Sequence, residues 1–303
     1  MKRLVLAYAG LLLIGSAWGV SFPMVKIAVE GGYSPTGIMV LQLSMTVLGL
    51  ALWQVLSGGW RRIPLDPAHL RLYAVVGVVG MAVPHLASLV GTARLPAGVM
   101  AIVMSLVPML VLPLSLALGL ETFRARRLVG VLLGATAVLM LVGPDTSLPE
   151  PGLWVWVLVG AIAPLFYAFE GMYVSHGPAQ RAGPFTVLWI GSMVALVIVF
   201  PLAALGGGLQ WPAAGLARAE WAIIGSEVVS VLGYAGYILV LRLTGPVFGA
   251  QVSFVVTGMG VVWSMILLGE RYSLWVWGAL LLLFMGLFLV QPRGAVREAT
   301  DHA

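Results

Sequence analysis

The chain has 303 residues, of which 61% are hydrophobic and 9% are charged, with a formal net charge of +5 and no cysteine. Soluble domains contain about 25% charged residues, so this composition excludes a water-soluble globular fold. The lack of cysteine excludes disulfides and thiolate metal sites. Basic residues stand in short segments beside apolar runs, which indicates membrane orientation and no nucleic-acid partner.

Ten apolar runs follow one another along the chain, each with a length suited to crossing a hydrocarbon core of roughly 30 Å as a helix. The first run begins beside Lys2 and Arg3 and continues to about Val29, which is too long for the apolar region of a signal peptide. Strands of a membrane barrel would alternate in polarity over about 10 residues, so the continuous runs exclude one. We name the runs spans 1 to 10 and predict them at residues 4–29, 36–57, 70–93, 96–119, 126–143, 153–175, 184–205, 219–241, 246–268 and 274–291.

The distribution of Lys and Arg predicts the orientation of the spans. Ten spans place both termini on one side of the membrane. If that side is the cytoplasm, it holds 12 of the 16 Lys and Arg residues. Cytoplasmic loops carry such an excess. We therefore predict an integral protein of the bacterial cytoplasmic (inner) membrane with both termini in the cytoplasm, and with Asp145 and Glu150 outside.

An internal repeat divides the chain into two halves. A gapless shift of 149 residues superimposes spans 1 to 5 on spans 6 to 10 and pairs Glu121 with Glu270. Because five is odd, the second half crosses the membrane in the opposite sense. We predict an all-α polytopic membrane protein of ten transmembrane helices in two inverted five-helix repeats, residues 1–147 and 148–303. Glu121 and Glu270 are each expected to stabilise the positive end of the helix that they open.

Both halves contain an apolar span, a turn with a glutamate and a glycine-containing span, over residues 97–142 and 247–290. These stretches, together with Trp18-Gly19 and Phe22 in span 1, resemble the repeat of the drug/metabolite transporter superfamily, EamA type. The resemblance implies a ten-helix transporter that exports amino acids or related metabolites, with spans 5 and 10 at the periphery. Relatives often carry Arg in span 2, where this chain reads Val-Leu-Gln-Leu-Ser, so an anionic substrate group lacks that partner.

Two polar stripes are the sharpest local features of the sequence. One helical face of span 8 carries Glu227, Ser230, Tyr234 and Tyr237. The shift maps this face onto a stripe in span 3 that consists of Met81, His85, Ser88 and Thr92. We expect the stripes to face each other across a substrate cavity. Ionisable groups are costly at membrane depth, so Glu227 and His85 are also the candidates for proton coupling. For the hydroxyls of Ser88, Ser230 and Thr92, the alternative is hydrogen bonding between helices.

Aromatic and amide side chains complete the predicted binding site. The shift pairs Trp18 with Tyr167. Their rings are expected to stack on a substrate or to attract its ammonium group, and ordinary packing is the alternative. Gln251 and Trp263 in span 9 are the remaining predicted substrate-binding residues.

Other polar and helix-breaking residues are expected to serve structure. Lys26 and Glu170 lie toward span ends, where their charged groups can reach the interface. Prolines inside spans, among them Pro84 next to His85, predict kinks.

No nucleotide-binding or hydrolase motif occurs in the chain. We predict a secondary transporter, not an enzyme, that moves a small-molecule substrate by alternating access in the lipid bilayer as a monomer or homodimer. No cofactor or metal is predicted. The alternatives are an intramembrane enzyme that uses Glu227 and His85 on a lipid-linked substrate, and a passive channel.

Overall fold

Within the residues that the structure describes, ten helical spans lie at or near the predicted positions. A computed structural model of the chain describes residues 2–119, 123–144, 146–174, 179–210, 216–244 and 251–290. Spans 1, 2 and 5 to 10 are the helices Lys2–Glu30, Pro35–Leu56, Ala125–Val142, Trp154–Val174, Pro184–Leu205, Arg218–Thr244, Val252–Leu268 and Leu274–Val290. Spans 3 and 4 are interrupted and consist of Pro67–Val75, Val76–Ala82 and Val83–Arg94, and of Ala97–Met104 and Val107–Ala117. A 3₁₀ turn, Gly59–Arg62, and a short helix, Ala179–Ala182, lie before spans 3 and 7. Glu121 and Asp145 lie outside the described residues.

The helices have the length and composition of membrane spans. Seven of the described helices are at least 18 residues long and apolar enough to cross a bilayer. Spans 9 and 10 have 17 residues each, or about 25 Å at 1.5 Å per residue. Large apolar side chains such as Leu13, Leu205 and Leu274 are largely exposed on the outside, as expected of a surface that meets lipid.

Packing between the spans follows the two-fold relation that the repeat predicts. Span 1 packs along spans 8 and 9, and its equivalent, span 6, packs along spans 3 and 4. Spans 2 and 7, spans 4 and 9, and spans 5 and 10 pack against each other as equivalent pairs. Exchanging each span with its repeat partner therefore converts these contacts into one another, as a pseudo-two-fold axis requires.

Glycines allow the two peripheral spans to approach closely. Spans 5 and 10 contribute to one apolar core cluster, which also contains Met109 of span 4. A Cβ atom on Gly130 of span 5 would lie 2.7 Å from the carbonyl oxygen of Gly286 in span 10. One on Gly134 would lie 2.0 Å from the Met109 sulfur. The Gly-x-x-x-Gly pair of span 5 thus packs inside the chain.

The interruption of span 3 follows from a proline. Pro84 has no N–H to bond the carbonyl of Gly80, four residues earlier, and its ring would clash with that carbonyl. The helix instead widens over Val76–Ala82 into π-type turns, and the Val83 N–H bonds the Val78 carbonyl, five residues earlier. Such wide turns are frequent at functional sites.

Span 4 breaks for a similar reason. Pro108 cannot bond the carbonyl of Met104. Just before it, the N–H groups of Ser105 and Leu106 bond carbonyls three residues earlier, at 3.2 and 3.1 Å. The chain therefore tightens into a turn between the two helices of span 4. Spans 1 and 6 are continuous helices in spite of Pro23 and Pro164.

Candidate substrate cavity

A cavity of about 1160 Å³ lies between the spans. The resemblance to the transporter repeat implies that spans 1, 3, 4, 6, 8 and 9 line such a cavity, and each of them does so. Spans 2 and 7 also contribute several residues, and spans 5 and 10 contribute one each, Arg127 and Val290. The volume is slightly above the range of about 300 to 1,000 Å³ that is usual for small-molecule sites.

Six of the nine predicted binding residues line this cavity. They are Trp18, His85, Ser88, Tyr167, Glu227 and Tyr234. The stripe of span 3 lies on the wall in full, and the stripe of span 8 lies there as far as its side chains are described. Gln251 and Trp263 are not among the described lining residues. Tyr237 belongs to the helix of span 8, but its side chain lies outside the described part of the chain.

Glu227 is buried deep in span 8 and is held by span 2. It lies seven residues after Glu220 in the first turn of the helix, or about 10 Å along the axis. Its side chain is 9% exposed and accepts a hydrogen bond from the Thr46 hydroxyl. The bond fixes the carboxylate where the cavity reaches it. Thr46, which the sequence analysis did not select, is thus part of the site.

A hydrogen-bonded chain links His85 to spans 2 and 8. The Ser226 hydroxyl donates to the Ile223 carbonyl at 2.8 Å, so it must accept from the Gln42 amide nitrogen at 3.0 Å. This arrangement points the amide oxygen of Gln42 toward His85, at 3.0 Å from Nε2. Because that oxygen can only accept, His85 Nε2 carries a proton and donates it. Nδ1 is the ring nitrogen that remains for a ligand.

Trp18 joins span 1 to span 8 at the cavity wall. Its indole N–H donates to the backbone carbonyl of Ser230 at 3.0 Å. Gly233 makes room for the ring, since a Cβ atom there would lie 2.6 Å from the indole nitrogen. The ring is therefore held in one orientation beside the carboxylate-bearing helix.

Two hydroxyls of the stripes do not bond between helices, contrary to the alternative considered for them. The Ser230 hydroxyl donates to the Ser226 carbonyl at 2.7 Å. The Thr92 hydroxyl donates to the Ser88 carbonyl at 2.8 Å. Each carbonyl lies four residues earlier in the same helix, where a short side chain reaches it most easily.

The indole of Trp263 serves helix packing. Its N–H donates to the Ser16 hydroxyl at 3.0 Å and so connects span 9 to span 1. Gln251 lies just before the first helical residue of span 9. The face of span 9 that meets the cavity carries Ser253, Val256 and Thr257. The two hydroxyl residues are four positions apart in an otherwise apolar stretch, and this spacing was the signal for that face.

Lys26, which is predicted to reach the interface from near the end of span 1, is bonded to the end of span 3. Its ammonium group donates to the carbonyls of Thr92, Ala93 and Leu95, at 3.2, 3.3 and 3.0 Å. These carbonyls end span 3, where the helix dipole is negative. Lys26 thus anchors the end of span 3 to span 1.

Glu170, the other charged residue predicted near a span end, lines the cavity. The signal for it was available. Glu170 follows Tyr167 by three residues in a helix, so the two side chains share a face.

Glu270 stabilises a different helix from the one that it precedes. Its carboxylate accepts the N–H groups of Ala97 at 2.7 Å and of Gly98 at 3.2 Å, and the Tyr272 hydroxyl also donates to it. Span 4 begins after Pro96, which has no side-chain acceptor to cap the helix. The prediction that Glu270 caps span 10 was therefore wrong. Its repeat partner, Glu121, lies outside the described residues.

The described residues contain no group of three or more His, Asp or Glu side chains that could hold a metal ion. What the cavity offers is a set of aromatic faces, two carboxylates and one imidazole within apolar walls. Such a site can bind a small organic molecule by stacking and by charge.

Comparison with known proteins agrees with this architecture. The model of the EamA-like transporter family matches residues 5–143 and, a second time, residues 154–291. An uncharacterized inner membrane transporter of Escherichia coli K12, YedA, is 25% identical over 299 residues, which cover 95% of this chain and 92% of the relative. The uncharacterized transporter YdfC of Bacillus subtilis is 24% identical over 62% of this chain and 60% of its own length. A crystal structure with 15% identity superimposes with a TM-score of 0.59 and covers 95% of this chain and 96% of the other, which supports the fold alone.

Proposed function

We propose that this chain, which belongs to the EamA-like transporter family, moves small organic metabolites, amino acids or related compounds, by alternating access. The family and both relatives are named as transporters, and YedA is named as an inner membrane transporter. The observation that supports the proposal most strongly is the cavity, because the polar stripes of spans 3 and 8, which are equivalent in the two inverted halves, both line it. The cytoplasmic membrane as its location and the cytoplasmic side for both termini remain predictions from charge.

The packing of the spans suits a motion that opens the cavity to one side at a time. Span 1 packs against two spans of the second half, and span 6 packs against the two equivalent spans of the first half. Because the halves are related in this way, two arrangements in which they swap conformations can have similar energy. Spans 3 and 4 are interrupted beside the cavity, at the wide turns before Pro84 and at Ser105. Such interruptions are where a helix bends at least cost.

Glu227 is the first candidate for a proton-coupling group and His85 is the second. Both line the cavity, and a proton or a substrate can therefore compete for them. Glu227 faces Thr46 of span 2, and Tyr167 and Glu170 of span 6 also line the cavity. A transported proton would be taken up on one side and released on the other as the halves rearrange.

A counterflow assay tests the transport proposal. Purified protein in liposomes loaded with one unlabelled metabolite should accumulate the same labelled compound, and the rate should saturate. A panel of amino acids and amines covers the proposed class. Chemical conversion of the compound would favour the enzyme, and uptake without saturation or trans-stimulation would favour the channel.

The coupling proposal predicts a loss of pH dependence in two variants. Glu227→Gln replaces the carboxylate by a carboxamide that cannot carry a proton, and His85→Ala removes the imidazole. At least one of them should make transport independent of an imposed pH gradient. Glu150→Gln, in an exposed loop, is the control. If both cavity variants keep the wild-type pH dependence, neither group couples protons, and uniport or exchange remains.

A further inference from the structure

Glu170 is the carboxylate of the cavity for which the described part of the chain offers no hydrogen-bond donor. It is partly buried in span 6 and lines the cavity. Glu227 accepts a hydrogen bond from Thr46, whereas no donor within the described residues bonds the carboxylate of Glu170. Ionisable groups at membrane depth are costly unless they face a partner or a wet cavity. A ligand that enters the cavity can supply the missing partner.

The position of Glu170 depends on the wide turns of span 3. The Glu170 side chain lies against Gly80, and a Cβ atom on Gly80 would come within 2.4 Å of its Cγ. Gly80 lies in the π-type segment that Pro84 causes. The lack of a side chain at Gly80 therefore leaves the space that the Glu170 side chain occupies.

Tyr167 lies close to both carboxylates. It lies near enough to Glu170 and to Glu227 to interact electrostatically with both. Tyr167 lines the cavity, and its hydroxyl forms no hydrogen bond within the described part of the chain. The unsatisfied hydroxyl is a second group that a ligand can bind, independent of the carboxylates.

The charge of the lining favours a cation over an anion. The acidic residues among the described lining residues are Glu170 and Glu227, and the basic one is Arg127, which already has a partner. The Nε2 proton of His85 is bonded to Gln42. A carboxylate on the ligand would meet two carboxylates and no uncommitted Lys or Arg on the described wall. An ammonium group would be attracted by both carboxylates and by the faces of Trp18 and Tyr167.

We propose that Glu170 and Glu227 together bind the ammonium group of an aromatic or apolar amine that lacks a carboxylate. The transported compounds related to amino acids are then their decarboxylated amines, and the amino acids themselves bind more weakly. This inference rests on the proposed transport function. It narrows the substrate class of the same cavity.

Binding of three compounds with one shared ring tests the proposal. Phenethylamine has the ammonium group alone, phenylalanine has both charged groups, and 3-phenylpropionate has the carboxylate alone. Equilibrium binding to the full chain in detergent is measured first, and inhibition of counterflow is measured second. Phenethylamine should bind at least about tenfold more tightly than phenylalanine, because the carboxylate of phenylalanine would meet two carboxylates of the same charge. 3-Phenylpropionate should not bind.

Two variants assign the effect to Glu170. Glu170→Gln should weaken phenethylamine binding by about tenfold or more and leave the binding of uncharged 2-phenylethanol unchanged. Gly80→Ala, which displaces the same carboxylate, should reproduce this loss. Glu150→Gln in the exposed loop should bind like the wild type. Thermal unfolding of each variant verifies that it is folded.

The outcomes separate this inference from the proposed function. If amino acids bind and exchange better than their amines, and Glu170→Gln changes neither, the cation site is wrong and the transporter stands. If phenethylamine binds and Glu170→Gln weakens it, but no compound shows counterflow, the site is supported and the transport proposal fails. Equal binding of all three compounds overturns the inference.

Discussion

The turn between spans 3 and 4 and the candidate substrate cavity both contain charged side chains. The two regions differ in how many hydrogen bonds those charged groups form. At the turn, Lys26 donates to three carbonyls and Glu270 accepts from three donors. In the cavity, Glu227 accepts from Thr46, and no described donor bonds Glu170. A charged residue inside a membrane protein is thus no evidence of function by itself. Whether the protein already supplies its hydrogen-bond partners indicates whether it serves structure or is available to a ligand.

The turn shows what complete satisfaction achieves. Span 3 ends and span 4 begins within a few residues, so carbonyls and N–H groups that lack helical partners lie side by side. A cation meets the carbonyls and an anion meets the N–H groups, each at the favourable end of a helix dipole. Side chains of span 1 and of the turn before span 10 therefore fix the hairpin of spans 3 and 4 from both sides.

The largest effect on stability is expected for Glu270→Ala. This change leaves the N–H groups of Ala97 and Gly98 and the hydroxyl of Tyr272 without their acceptor. Loss of the cap should lower the free energy of unfolding by about 2 to 3 kcal/mol. Unfolding in detergent measures the change, with Glu150→Ala as the control for an exposed glutamate. The folded fraction should keep the wild-type order of substrate affinities. If the variant were as stable as the wild type but ranked the substrates differently by affinity, Glu270 would have a role in substrate binding and not in stability.

A smaller loss is expected for Lys26→Met, which keeps an unbranched side chain but removes the ammonium group. The end of span 3 then loses three charge-assisted hydrogen bonds, of which water can replace part. The free energy of unfolding should fall by about 1 to 2 kcal/mol. Lys26→Arg, which keeps the charge, is the matched variant and should retain most of the stability. If Lys26→Met instead weakened substrate binding at unchanged stability, the contrast between the turn and the cavity would not hold.

The ten spans and the repeat could be predicted because they depend on composition along the chain. Apolar runs and the 149-residue shift can be read from the order of residues without knowing which spans meet in space. The observed helix bounds differ from the predicted ones by a few residues. The start of span 9 was placed at residue 246, and residues 245–250 lie outside the described part. The form of each proline break was beyond prediction. Pro84 widens its helix and Pro108 is preceded by a tight turn, although the sequence signal is the same.

The partners of charged residues could not be predicted, because they depend on which spans meet in space. Lys26 and Glu170 look alike in the sequence, each being a charge near the end of an apolar run. One caps span 3 and the other enters the cavity. The shift pairs Glu170 with Ser21 and Glu227 with Val78, so both carboxylates come from the second half and symmetry gave no guide to them.

The smallest expected effect, and the finest test of the contrast, comes from replacing Trp18 or Trp263. The indoles of Trp18 and Trp263 each donate one hydrogen bond of 3.0 Å that connects span 1 to a neighbouring span, but only Trp18 lines the cavity. Replacing either by Phe removes one bond and should lower the free energy of unfolding by about 0.5 to 1.5 kcal/mol. Substrate affinity should fall for Trp18→Phe alone, since its ring loses the orientation that the Ser230 carbonyl imposes. Equal affinities in the two variants would mean that Trp18 serves packing only, and that the aromatic wall of the site rests on Tyr167.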